Sequence, residues 1–184
     1  YNQKIKTLYY QSTERSPMHR DIYSINVFGK KKKLLSEDVG WNNAQFSNNY
    51  KYFINTYSSA NSPNLINLYN AKGKKQRTIK NSLQLIETLQ SYNLTKKEFF
   101  QFKTEDEVTL NGWIMKPTNF DEKQTYPVLM YVYGGPGSQT VQDSWGGQYM
   151  WYQMLCQKGY IVVSIDNRGT GGRGAEFKKC TYKE

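Results

Sequence analysis

The chain has 184 residues, 22% of them charged and 38% hydrophobic, with 16 tyrosines, two cysteines, one histidine and a formal net charge of +10. That length holds one ordinary domain or two small or partial ones, and two cysteines cannot define a disulfide framework. No run approaches the ~18 consecutive apolar residues of a membrane-spanning helix, no stretch has signal-peptide character, and no Cys/His cluster points to a metal.

The basic charge admits a nucleic-acid binder as a reading. Its densest cluster, Lys30 to Lys33, follows Phe28-Gly29 between two strand-like runs. A solvated hairpin tip accounts for such a run, and no aromatic-interleaved binding motif accompanies it.

Alternation and turn punctuation predict short strands over the first ~80 residues. Ile5 to Tyr10 is the first, and Asp21 to Val27 alternates cleanly between two faces. Ala44 to Ser47, Tyr50 to Tyr57 and Asn64 to Tyr69 continue the series, with turn signals at Asn48-Asn49 and Ala71 to Lys74. This is the spacing of four-stranded antiparallel sheets, with room for about two blades of a β-propeller. At Asn81 to Tyr92 the period changes. Leu83, Leu85, Ile86, Leu89 and Tyr92 fall at helical spacing, with Asn81 or Ser82 as N-cap.

From Lys97 the pattern reads strand (Glu98 to Lys103), polar turn, strand (Val108 to Pro117), loop, and an apolar strand (Pro127 to Tyr133) expected to be buried on both faces. A helix follows over Gly146 to Lys158, with Met150, Trp151, Met154 and Leu155 on its apolar side, Cys156 among buried neighbours, and Gly159 as the residue that ends it. Tyr160 to Ile165 is a second apolar strand. Asp166 to Gly174 is a glycine-rich loop, and a helix starts near Ala175. Two strands leading into a βαβ unit is the order that opens an α/β-hydrolase sheet.

Three ordered motifs carry a resemblance: Thr104-Glu-Asp-Glu-Val-Thr-Leu-Asn-Gly-Trp-Ile-Met-Lys-Pro117, Tyr126-Pro-Val-Leu-Met-Tyr-Val-Tyr-Gly-Gly-Pro-Gly-Ser-Gln139 and Asp166-Asn-Arg-Gly-Thr-Gly171. Together they resemble the prolyl oligopeptidase family of serine peptidases, and the Tyr-Gly-Gly-Pro-Gly-Ser-Gln string resembles its dipeptidyl peptidase IV-like branch most. The resemblance is dense over the second half and weak over the first. It implies a partial α/β-hydrolase preceded by partial antiparallel β-propeller blades: blades over residues 1–80, a connecting helix and linker over 81–96, and the N-terminal half of a catalytic domain over 97–184.

The resemblance further implies a serine exopeptidase that removes N-terminal dipeptides with Pro or Ala second, needs no cofactor or metal, and acts on peptides rather than nucleic acid. In that family the Tyr at position 133 donates its hydroxyl to the oxyanion, and Gly134, Gly135 and Pro136 shape the turn that presents it. A homodimer of the parent is compatible with the family, and its bacterial members are often exported, which makes a periplasmic or secreted location the expectation.

The catalytic triad is not expected in this chain. No serine has the G-x-S-x-G context of a nucleophile elbow: Ser138 follows Gly137 directly, and Ser144 lies between Gln142 and Gly146. His19, the one histidine, lies in the strand-rich part beside Pro17 and Arg20, away from the order a triad requires. The first residue is Tyr1, and the expectation is a segment of a longer protein, inactive alone. Arg168 is expected to pair with a buried carboxylate and fix its loop. Gly169, Gly171 and Gly174 also fit G-x-G-x-x-G, a dinucleotide fingerprint, but the acidic residue ~20 positions on has no room before Glu184. Two other readings stay open: an acyl-peptide hydrolase or esterase of the same fold, and a basic β-rich binding module.

Overall fold

A computed structural model describes residues 1–182. The chain forms two compact units, one of Tyr1–Ile86 with Asp143–Trp145, the other of Glu87–Gln142 with the chain from Gly146 onward.

The first unit is sheet-rich and propeller-like. Strands β1 (Thr7–Ser12), β2 (Asp21–Asn26) and β3 (Lys33–Leu34) form an antiparallel sheet. Strands β4 (Trp41–Phe46), β5 (Tyr52–Ser59), β6 (Ser62–Asn70) and β7 (Lys75–Lys80) form a four-stranded antiparallel meander in sequence order. Two strands escape a pattern-based reading. The β3 strand is only two residues long, and β7 is exposed at all six positions, so neither shows the alternation that burial imposes. The first sheet has three strands where the spacing predicts four.

Ile22, Leu35, Phe53 and Tyr69 make the core of this unit, with Tyr9, Ala44 and Phe46 packed against it. Phe53 lies between Tyr69 and Phe46, at ring-centroid distances of 5.1 and 4.8 Å. Full burial of each such ring contributes about 2–3 kcal/mol. The alternation expected of β2 fails at its start, where Asp21, Ile22 and Tyr23 are all buried. Asp21 can be there because Arg15 grips it with two guanidinium nitrogens, Nε at 2.7 Å, and the Ser36 hydroxyl donates at 3.3 Å. Asn42 is also fully buried. Its amide donates to the carbonyls of Arg20 and Asp38, and its Oδ1 accepts from Asn55 Nδ2 at 2.8 Å.

Helix α1 (Leu83–Gln90) begins at Ser82, whose carbonyl accepts the first helical bond from Ile86 N–H. The Ser82 hydroxyl does not cap the helix but donates to Asn64 O at 2.6 Å. None of the α1 side chains is buried.

In the second unit, β8 (Glu98–Lys103), β9 (Thr109–Met115), β10 (Val128–Tyr131) and β11 (Ile161–Ile165) form a mixed sheet in the order β10-β11-β9-β8. β10 and β11 are parallel and joined through α2 (Tyr149–Gln157), while β9 runs antiparallel to both neighbours. Within the β8–β9 pair, Gly112 sits opposite Phe100, whose ring fills the space where a Cβ at 112 would lie, 2.4 Å from the nearest ring atom.

Two expectations are corrected. Pro127 to Tyr133 is not a strand buried on both faces. The strand spans Val128–Tyr131, and among the described residues it pairs only with β11, at the sheet edge, so Val128, Met130 and Tyr131 are 58, 56 and 40% exposed. Helix α2 also turns a different side inward. Tyr149, Tyr152, Gln153 and Cys156 are buried with Leu155, whereas Met150, Trp151 and Met154 face outward. Gln153 is the polar member of the inward side. Its amide donates to Thr95 O at 2.7 Å and accepts from Thr95 N–H at 3.0 Å, a reciprocal pair that apolar periodicity does not reveal. The end of α2 follows the glycine signal: Gly159, at φ 85°, donates to Cys156 O while Tyr160 N–H reaches back to Leu155 O, a Schellman closure. The final described helix, α3, spans Gly174–Lys179.

Candidate functional site

Because β10 and β11 are parallel and paired from Val128↔Ile161 to Tyr131↔Ser164, the segments that follow them leave the same edge of the sheet. One is the turn Val132 to Gln139, the other the loop Asp166 to Arg173. Gly134 and Gly137 take φ of 77° and 86°, which lets the chain reverse at once after the strand.

The two segments interlock through backbone. Gly137 N–H donates to Gly169 O at 2.8 Å, and Asn167 Nδ2 donates to Gly135 O at 3.3 Å. A Cβ at Gly169 would lie 2.8 Å from Thr181 Oγ1 and 3.1 Å from Pro136 Cβ, and one at Gly171 would lie 3.2 Å from Gly137 O. These glycines are there for close approach of chain to chain. The phosphate-cradle reading of Gly169, Gly171 and Gly174 therefore loses its basis, since two of the three face the loop's own partner turn.

Asp166 anchors the assembly. It is 6% exposed, and its Oδ1 accepts from Thr140 N–H at 2.7 Å, Thr140 Oγ1 at 3.0 Å and Val141 N–H at 3.1 Å. Burial raises its carboxyl above the ordinary range, an effect opposed by those donors and by the charge of Arg173. The Thr140 hydroxyl also bonds Ser164 Oγ at 2.9 Å, and Thr140 O accepts from Trp113 Nε1 at 3.2 Å. Arg173 donates to Thr109 O at 2.7 Å and lies 3.8 Å from the Phe177 ring centroid, with burial lowering its pKa.

Tyr133 sits at the start of the turn, 60% exposed, with its ring over Gly135, where a Cβ would lie 3.2 Å from Tyr133 Cε1. Arg168 does pair with a carboxylate, but not a buried one: its partner is Asp106, on the polar turn between β8 and β9 and more than half exposed. The buried carboxylate of this loop is Asp166 itself. The sequence signal for it was its place directly after the apolar run of β11. Nothing in the pattern marked Thr140, Ser164 or Trp113 as its companions.

The remaining candidates lie elsewhere. His19 belongs to the first unit, where its Nε2 is 3.5 Å from Asp143 Oδ2 and its Nδ1 is buried without a hydrogen-bond partner. Ser144 lies in the short segment assigned to that same unit, and Ser138 in the turn after Tyr133. Cys156 is 1% exposed, and burial pushes its thiol up to about 11. Among the described residues no group of three His, Cys, Asp or Glu could hold a metal ion, and no helix is long and apolar enough to cross a membrane.

Residues 1–64 match the family model described as dipeptidyl peptidase IV N-terminal region. Dipeptidyl peptidase 4 of Trichophyton rubrum is 34% identical over 98% of this chain and 24% of its own length. The probable dipeptidyl-aminopeptidase B of Arthroderma otae is 30% identical over 95% of this chain and 19% of its own. The crystal structure of Porphyromonas gingivalis dipeptidyl peptidase 4 superposes with a TM-score of 0.90 at 46% identity, covering 97% of this chain and 25% of that one. The chain thus spans about a quarter of the length of the relatives it matches. The N-terminal-region match, these relatives and the solved structure together support a dipeptidyl peptidase IV-like family member.

Proposed function

We propose that this chain is a section of a serine exopeptidase that releases N-terminal dipeptides with Pro or Ala at the second position through an acyl-enzyme. In this reading residues 1–80 are the C-terminal blades of a β-propeller, 81–96 a connector, and 97–184 the first half of an α/β-hydrolase domain. The section contributes Tyr133 to the oxyanion hole and no member of the catalytic triad, so the 184 residues alone do not turn over substrate. The intact protein acts on peptides and without a cofactor, and a homodimer of it is compatible with this reading.

The observation that supports the reading is the interlocked pair of loops at the ends of β10 and β11, with Tyr133 exposed at its rim. A strand end followed by a glycine turn is where α/β-hydrolases assemble oxyanion donors. A hydroxyl held on such a base meets the negative charge of a tetrahedral intermediate without reorganising first, which is what makes a donor effective. The serine attacks the scissile carbonyl, a histidine takes its proton, and an aspartate orients the histidine. Tyr133 O–H then donates to the carbonyl oxygen as it becomes an oxyanion.

Tyr133→Phe in the full-length protein removes the donor and keeps the ring. Loss of one oxyanion donor costs about 2.7–4 kcal/mol, so kcat on a Gly-Pro chromogenic substrate falls ~100- to 1,000-fold with KM little changed. An unchanged kcat overturns the assignment.

A further inference from the structure

We propose that the end of the first unit carrying the β2–β3 turn is a docking surface for anionic lipid membranes. The chain's charge is not spread evenly. The first unit holds fourteen Lys and Arg against five Asp and Glu, a net +9 of the chain's +10. The lysines come from separate stretches that the fold gathers at one end of its strands.

Three contacts make the gathering. Val27 N–H donates to Lys6 O at 2.9 Å, joining the turn before β1 to the turn after β2. Lys33 Nζ donates to Lys72 O at 2.6 Å, and Gly73 packs so closely on Leu35 that a Cβ there would lie 3.1 Å from its backbone; both join the β6–β7 turn to β3. Ala71 N–H donates to Lys51 O at 2.9 Å, which brings in the β4–β5 turn. Lys4, Lys6, Lys30, Lys31, Lys72 and Lys74 are all exposed there. Among the described residues, one lysine of this end, Lys32, has an ion-pair partner, Glu14 at 2.7 Å. Lys6 and Lys31 hold left-handed backbone, φ 48° and 57°, a strain that glycine would avoid.

Charge alone would suit any polyanion. What selects a membrane is the apolar tip among the lysines. Phe28 is 70% exposed, Ile5 59% and Val27 41%, and Lys6 Nζ lies 5.8 Å from the Phe28 ring centroid. Basic side chains around projecting apolar ones match an anionic interface, where lysines meet headgroups and the apolar tip enters the acyl boundary. Nucleic acid would give Ile5 and Val27 nothing to bury against. This surface is independent of the peptidase reading.

The test is co-sedimentation of the full-length protein with vesicles of phosphatidylglycerol and phosphatidylcholine, against phosphatidylcholine alone. Binding is expected to the anionic vesicles only and to be released by salt. Lys30→Gln, Lys31→Gln and Lys33→Gln together weaken it about 100-fold, on the basis of roughly fivefold per lysine. The corresponding Lys→Arg triple retains it, which separates charge from folding. Phe28→Ser weakens it about tenfold. Failure to bind anionic vesicles at low salt overturns the proposal. So does binding to duplex DNA that is as tight as to vesicles and indifferent to Phe28→Ser. Hydrolysis of a soluble dipeptide substrate is unchanged in every variant, so loss of vesicle binding with activity intact separates this surface from the catalytic reading.

Discussion

Removing the Asp166 carboxylate should open the turn that carries Tyr133. In Asp166→Ala the backbone N–H groups of Thr140 and Val141 lose their common acceptor, and Val141 is fully buried, so water does not readily replace it. Each stranded donor costs about 1–3 kcal/mol. The Thr140 hydroxyl still has Ser164 Oγ and adds little. The two together cost about 2–6 kcal/mol, or roughly 30- to 20,000-fold in the local opening equilibrium. Hydrogen exchange read by mass spectrometry on peptides covering Gly134 to Val141 measures this directly, with the Gly137, Thr140 and Val141 amides as probes. Asp166→Asn keeps an acceptor oxygen in place without the buried charge and should change the opening equilibrium less than about tenfold, because the lost charge assistance is offset by the removed cost of burying a carboxylate. The two variants also separate by pH. Burial holds the Asp166 carboxyl above its unfolded value of about 4. Between those two pKa values the folded chain keeps the proton that the unfolded chain has released. The group's contribution to stability therefore declines as pH rises through that window and is lost above the folded pKa. Asp166→Asn cannot titrate and removes that slope. Unchanged exchange in Asp166→Ala would refute the claim that this carboxylate holds the turn.

Gly169→Ala places a methyl against Pro136 and Thr181 at a φ of 82°, so the strain of the left-handed backbone and the clash add. A loss of about 2–3 kcal/mol is expected in denaturant unfolding, against under 0.5 kcal/mol for the uncrowded Gly146→Ala. Arg15→Ala leaves Asp21 buried with only the Ser36 hydroxyl. It should cost about 3 kcal/mol, visible as a lower unfolding midpoint, and Arg15→Lys should recover only part of it because one ammonium cannot replace the two-pronged contact. Cys156 should resist a thiol reagent at pH 8 until the protein unfolds, since burial keeps its pKa near 11; labelling as fast as a free thiol would contradict the packing of α2.

Much of the local structure is legible in the residues. The turn at Phe28-Gly29, the closure of α2 at Gly159, the apolar run of β11 and the glycine reversal after Tyr133 each rest on a residue whose backbone preference acts within a few positions. The strands β3 and β7 were not legible, because one is too short and the other too exposed to carry alternation. For the site, the Tyr133 turn and the Asp166 loop stand out as motifs. That Asp166 reaches Thr140 and Val141, twenty-five and more residues away, does not, since no pattern in either segment encodes the pairing of β10 with β11.

By itself the sequence determined several of the turns, most of the strands with an apolar pattern, and a set of motifs specific enough to carry a family resemblance. Those features depend on local dihedral preference and hydrophobic period. Tertiary structure alone decided which side of α2 is buried and which carboxylate Arg168 meets. It also gathered scattered lysines around Phe28 at one end of the first unit. Each of these depends on a partner distant in the chain: Gln153 on α2 pairs with Thr95, Asp106 reaches Arg168 from the β8–β9 turn, and Lys6, Lys33 and Lys51 converge through hydrogen bonds between separate turns. The physical reason is common to all of them. Apolar periodicity says that a face can be buried, and only the packing of particular partners says which face is.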